Sequence, residues 1–155
     1  MAQSLVKNYV HIIFSTKYRE PKILPEFENQ IHAYISAICR RYDSPAIAVG
    51  GFTDHIHILC SVSKKIAVME LVQVIKGNSS KWIKSVDPKF FDFFWQDGYA
   101  AFSVDHKGIP RVTKYINNQR KHHSKKSTTF QKELLEILND QEINFDEEYL
   151  FDKDS

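Results

Sequence analysis

Ala46-Ile47-Ala48-Val49-Gly50-Gly51-Phe52-Thr53-Asp54-His55-Ile56-His57-Ile58-Leu59-Cys60-Ser61-Val62 contains two short apolar runs, 46–50 and 55–62, separated by the four residues 51–54. A parallel crossover needs about a dozen residues or more, so a link this short makes the runs a hairpin or antiparallel neighbours. Upstream, Asn8 to Ser15 is rich in β-branched and aromatic residues and ends before a polar turn at 16–20, the pattern of a first strand. Between that strand and the pair, Phe27, Ile31, Tyr34, Ile35, Ile38, Cys39 and Tyr42 recur at helical intervals after Pro25. Asp43-Ser44-Pro45 closes the helix.

Downstream, Val68, Leu71, Val72, Ile75, Trp82, Ile83 and Val86 predict a second helix over 66–86, with Gly77 a weak point costing about 1 kcal/mol relative to Ala. The aromatic run Phe90–Trp95 is expected over a sheet edge, and Tyr99–Val104 reads as a further strand. Gly108 and Pro110 lead into another helix through Val112, Tyr115, Ile116 and Gln119, and a last helix is expected over 129–138. The order β-α-β-β-α-β predicts an α+β fold: a ferredoxin-like antiparallel sheet with helices on one face, plus a C-terminal tyrosine-bearing helix. We read one domain over 1–155, with a core at 1–105, a hinge and tyrosine helix at 106–126, and a helix and acidic tail at 127–155.

The 155 residues are 43% hydrophobic, enough for an ordinary core. No run reaches the roughly 18 apolar residues of a membrane span, and Met-Ala-Gln-Ser-Leu-Val-Lys-Asn lacks the plan of a secretory signal. The expectation is a cytoplasmic protein without a membrane partner. Cys39 and Cys60 form no CxxC or zinc pattern and read as small core residues. The net charge of +2 hides a division: Lys107 to Lys126 carries seven Lys or Arg, two His and no acid, whereas 140–155 holds seven acids against one Lys. Such a basic stretch is either a solvated face or a field for a polyanion.

Alternate strand residues share a face, so His55 and His57 project together from anchors about 7 Å apart and could share a metal ion or be ordinary half-buried histidines. Tyr115 and Gln119, four apart, share a helix face. A phenol with its ordinary pKa of about 10 is a poor nucleophile, and a nearby cation is one remedy. The amide oxygen of Gln119 could bind that cation. The bland alternative is a core aromatic beside a solvated amide.

Thr53-Asp54-His55-Ile56-His57-Ile58-Leu59, Lys76-Gly77-Asn78-Ser79-Ser80, Trp95-Gln96-Asp97-Gly98-Tyr99-Ala100-Ala101-Phe102-Ser103-Val104 and Tyr115-Ile116-Asn117-Asn118-Gln119 with His122-His123, in that order, resemble the HUH single-tyrosine transposases of the smallest bacterial insertion sequences. His11 to Arg19 resembles that family's opening strand, and the likeness covers nearly the whole chain. Its usual Gly-Tyr-Gly-Ala-Phe reads Gly98-Tyr99-Ala100-Ala101-Phe102 in this chain, with one glycine replaced.

The resemblance implies that His55, His57 and Gln119 bind a divalent metal, Mg²⁺ or Mn²⁺, and that Tyr115 is catalytic, attacking a scissile phosphate to leave a 5′-phosphotyrosine and a free 3′-OH. It implies single-stranded DNA with end hairpins as partner. It also implies a homodimer with active sites shared between subunits, Gly108 serving as hinge. Arg111, Lys114, Arg120, Lys121, His122, His123 and Lys76 are the expected DNA contacts, with Lys17, Arg19 and Lys81 as further basic candidates. Adjacent helical residues point about 100° apart, so His122 and His123 are expected on phosphates and not on a shared ion. Relaxases carry their tyrosines before the histidine motif, and many replication initiators use Tyr-x-x-Lys where residue 118 of this chain is Asn. A relative that processes chromosomal palindromes, or a DNA-binding module without chemistry, stays open.

Overall fold

The computed structural model describes residues 2–123 and 129–151; Lys125 and Lys126 of the basic stretch and the tail beyond 151 lie outside them. Four strands, β1 (Tyr9–Ser15), β2 (Ala46–Gly51), β3 (His55–Ser61) and β4 (Ala100–Ser103), form one sheet in the order β2-β3-β1-β4. Every pairing is antiparallel. The two long helices are α1 (Pro25–Arg41) and α2 (Val68–Val86); α3 (Ile109–Asn117), α4 (Gln119–His123), α5 (Phe130–Asp140) and the short α6 (Glu147–Leu150) follow β4. This is the ferredoxin-like α+β arrangement.

Strand alternation sorts the sheet into two faces. Val10, Ile12 and Phe14 of β1 and Ile56, Ile58 and Cys60 of β3 enter the main core with Ile31, Ile35 and Ile38 of α1 and Leu71, Val72, Ile75 and Ile83 of α2. α1 takes Pro25 in its first turn, where the missing N–H costs no hydrogen bond, and stops just before Asp43, whose φ of 54° is a left-handed conformation that Asp tolerates. α2 runs unbroken through Gly77, where an added Cβ would meet nothing within 4 Å. The apolar face on the sheet outweighs the local cost of glycine. Of the aromatic run expected over a sheet edge, Phe90, Phe93 and Trp95 enter the main core while Phe91 and Phe94 are exposed: Phe27, Phe90, Phe93, Trp95 and Phe14 stand edge to face in sequence, and Trp95 Nε1 donates to Ser79 Oγ at 2.9 Å. Cys39 and Cys60 are buried in this layer, and burial pushes their thiols up to about 11 and 12.

The opposite face is covered by the elements after β4. Ile13 and Phe102 pack on Phe130, Leu134 and Leu138 of α5, with Phe145, Leu150 and Phe151 against the same cluster. Those tail residues dock as their apolar character suggests, whereas Ile143 and Tyr149 are exposed. Ala48 and Leu59 meet Ile116 of α3, flanked by Val104, Ile109, Val112 and Tyr115. β3 is therefore buried along both faces from His55 to Cys60. Ala100, which replaces the family's usual glycine, pairs with Ile13 in the ladder, a position that does not call for glycine. Gly98, at φ 90°, does need its lack of a side chain.

Gly50 sets how closely α3 approaches the sheet. A Cβ there would lie 2.3 Å from the Ile116 carbonyl oxygen and 2.9 Å from Ile116 Cγ2. Gly50→Ala must push α3 off β2, and we expect it to destabilise the fold by about 1–3 kcal/mol, read as a lower midpoint in urea. An unchanged midpoint would mean that the helix is not seated this way.

Candidate functional site

Three strand residues turn imidazoles toward α3, α4 and α5: His55 and His57 from β3 and His11 from β1. His55 Nδ1 is 2.8 Å from Asp54 Oδ1, and His57 Nδ1 is 2.8 Å from His11 Nε2. These partners fix both rings so that each Nε2 faces the helices. There His55 Nε2 lies 2.9 Å from Gln119 Oε1, and His57 Nε2 lies 3.0 Å from Glu133 Oε1 of α5.

Glu133 is the centre of the constellation and is 3% exposed. Its Oε2 accepts from the Tyr115 hydroxyl and, at 3.0 Å, from Gln119 Nε2. The Nε2 atoms of His123 and His122 stand 3.1 and 3.4 Å from the same oxygen. Burial works to raise the Glu133 carboxyl, but hydrogen bonds from His123 and His57 and the fields of His57 and His55 outweigh it and hold the carboxyl well below its ordinary range. Burial lowers His57 to about 4 against the pull of Glu133, and lowers His11 to about 3 with help from His57. Burial, then the Glu133 charge, push the Tyr115 phenol up. Near neutral pH the site thus holds neutral imidazoles at positions 11 and 57, an ionised carboxylate and a protonated phenol.

His55, His57, Gln119 and Tyr115 come together within one chain, Tyr115 standing 5.6 Å from its own His57 ring to ring. The single helix expected through Tyr115 and Gln119 is instead broken at Asn118 (φ −97°, ψ 10°), which caps α3 before α4 begins. Both side chains still reach Glu133, because the Asn118 N–H keeps its bond to the Lys114 carbonyl at 3.1 Å. His122 is partly exposed, as a phosphate contact requires, whereas His123 is placed differently from the expectation. His123 is buried against His55, 4.5 Å ring to ring, and cannot track a phosphate backbone; the carboxylate between the two histidines lets both reach one atom despite their angular offset.

Among the other basic residues, Arg111, Lys114 and Lys121 are exposed on α3 and α4, and Arg120 pairs with Glu28 of α1. Lys76 Nζ donates to the carbonyls of Gln96 at 2.6 Å and Gly98 at 2.5 Å, a loop-closing role. Lys17 lies over the ring of Tyr18, Arg19 over that of Phe151, and Lys81 is exposed on α2. Gly108 is buried with φ −82°, its N–H on Asp105, and a Cβ would lie 2.8 Å from Asp105 Oδ1. A close contact, and not left-handed backbone, asks for glycine there.

Sequence reading missed His11, Asp54 and Glu133 as parts of the site. The signal for Glu133 was present: it falls three residues after Phe130 and one before Leu134, an acid on the apolar stripe of its helix.

The donor chemistry fits a divalent cation. One ligand atom from each of His55, His57 and Glu133 lies within 4.8 Å of the others, and the far nitrogens of both histidines are already engaged, as in metal-bound imidazoles. Residues 4–119 match the family model described as Transposase IS200 like. The chain belongs to the IS200-like transposase family.

Relatives of this transposase include the ISDra2 transposase TnpA of Deinococcus radiodurans, 23% identical over 114 residues that cover 70% of this chain and 81% of the relative. The transposase of insertion element IS200 from Salmonella typhimurium is 26% identical over 117 residues, covering 70% of this chain and 74% of that one. Two solved structures share the fold. A transposase candidate from Deinococcus radiodurans superposes with a TM-score of 0.61 at 21% identity, covering 77% of this transposase and 96% of that chain. A REP-associated tyrosine transposase bound to a REP hairpin superposes at 0.56 with 12% identity, covering 76% and 70%. No helix among the described residues of the transposase is long and apolar enough to cross a membrane.

His11 and His57 bind protons more weakly in the folded chain than at the ordinary value of 6.5, so below that value the unfolded chain takes up more protons. The metal-free transposase should lose stability as pH falls from about 6.5 to about 3, with full stability above that window. The two coupled histidines act together, and the low-lying Glu133 adds in the same direction. Urea unfolding across this range should show the loss, and His11→Gln should flatten it. A midpoint that does not move with pH would contradict neutral imidazoles at positions 11 and 57.

Proposed function

We propose that this transposase cleaves and rejoins single-stranded DNA at insertion-sequence ends, with Tyr115 as nucleophile and His55, His57 and Gln119 holding one divalent ion, Mg²⁺ or Mn²⁺. The observation that carries the proposal is the convergence of the Tyr115 hydroxyl, the Gln119 amide and the paired histidines around one buried carboxylate. When bound, such an ion would polarise the phosphate oxygens. Tyr115 Oη gives up its proton as it attacks phosphorus, the bond from phosphorus to the 3′ oxygen breaks, and that oxygen takes up a proton to leave as a 3′-OH, with no net change in protons. The product is a 5′-phosphotyrosine whose ester energy lets another 3′-OH reverse the step without ATP. Glu133 Oε2, which already accepts from the Tyr115 hydroxyl, orients the phenol. Exposed Lys107, Arg111, Lys114 and Lys121 give the strand a cationic surface beside the site. The hairpin bound by the REP-associated relative supports a folded single strand as partner.

Incubation with Mn²⁺ and labelled single-stranded DNA carrying the element's hairpin ends should give an SDS-stable protein–DNA adduct that disappears in Tyr115→Phe. A tight complex without any adduct would favour a DNA-binding module, and an adduct formed only on chromosomal palindromes would favour a domesticated relative.

The described chain brings Tyr115 to its own histidines, which supports assembly of the site in cis for this conformer. The shared sites of a homodimer, with the tyrosine helix exchanged about Gly108, would require α3 to leave its seat on Gly50. Mixing His57→Ala with Tyr115→Phe under subunit exchange distinguishes the two. Restored cleavage means sites shared in trans, and no restoration means sites completed in cis.

A further inference from the structure

We infer that Glu133 of α5 is itself a ligand of the divalent ion, so that the site is His55, His57, Gln119 and a carboxylate from beyond residues 4–119, the stretch matched by the family. The inference rests on the proposed metal site and extends it to a helix that the family match does not reach.

An ion with bonds of about 2.1 Å holds neighbouring donor atoms about 3.0–3.4 Å apart, from octahedral to tetrahedral arrangement. Three of the six edges of the donor set are close to that length: 2.9 Å from His55 Nε2 to Gln119 Oε1, 3.0 Å from His57 Nε2 to Glu133 Oε1, and 3.5 Å from His55 Nε2 to Glu133 Oε1. Four donor atoms from β3, α4 and α5 thus stand close together, with those of His55, His57 and Glu133 all within 4.8 Å of one another, near enough for one ion to draw them in.

Charge favours the same reading. Two imidazoles and an amide would leave a buried dication with its full charge, whereas a carboxylate offsets half of it. A hard cation also prefers an anionic oxygen among its ligands. The two oxygens of Glu133 divide the work. Oε1 faces His55 and His57, while Oε2 accepts from Gln119 Nε2 and the Tyr115 hydroxyl and lies beside His122 and His123. A single side chain thus ties the nucleophile to the coordination shell, and α5 is part of the metal centre and not only a cover for the sheet.

The test is isothermal titration of the full-length metal-free protein with Mn²⁺. Wild type should bind one ion, His57→Ala should abolish binding, and Glu133→Gln should weaken it tenfold or more. Glu136→Gln, which removes a charge from the exposed side of the same helix, should stay within twofold. Should Glu133→Gln fail to fold, Glu133→Asp keeps the charge but shortens the reach, and it too should bind at least tenfold more weakly. If wild type binds and His57→Ala does not, yet the Glu133 variants bind as tightly as wild type or tighter, Glu133 is a plug that yields to the ion and the inference is wrong. If wild type binds no Mn²⁺, the metal reading itself falls, and this inference with it.

Discussion

A carboxylate out of reach of water must be surrounded by donors, and the Glu133 side chain meets that demand with groups from three separate parts of the chain. His57 comes from the middle of the sheet, Tyr115 and Gln119 from either side of the Asn118 break, and His123 from the end of α4. Each of these groups is polar and at least partly removed from solvent, and the carboxylate gives each an oxygen to face. The second layer of the protein is thus held to the sheet by one ionised group as well as by apolar contact. That arrangement is costly unless a cation or a full set of hydrogen bonds balances it, which is why the same residues read so readily as a metal centre.

Much of the fold was legible because it rests on periodicity. The four-residue link between β2 and β3 forced antiparallel pairing, and the stripe Ile31, Ile35, Ile38 defined α1 without ambiguity. Gly77 was the one local signal against α2, and tertiary packing overrode it. The metal-ligand candidates were legible for a different reason: alternation along β3 places His55 and His57 on one face whatever lies opposite.

What lay opposite was harder to read. Glu133 is 76 residues from its histidine partner, and its role depends on α5 crossing back over the sheet, which no local pattern encodes. The break at Asn118 was equally hidden, because its neighbours keep helical spacing across it. His123 was misjudged because an angular rule for neighbouring residues says nothing of a third group placed between them. His11, unremarked within an apolar strand, turned out to orient His57 from the adjacent strand.

The layer on the far side of the sheet has its own consequence. Cys39 and Cys60 sit dry beneath α1 and β3, with thiols that stay protonated at physiological pH, so they lack the thiolate that oxidants and alkylating reagents attack. These two being the chain's full complement of cysteines, the surface is chemically silent toward maleimides. A single engineered thiol on α3 would carry a fluorophore or spin label without background, so that the distance from the tyrosine helix to the sheet could be read directly in solution.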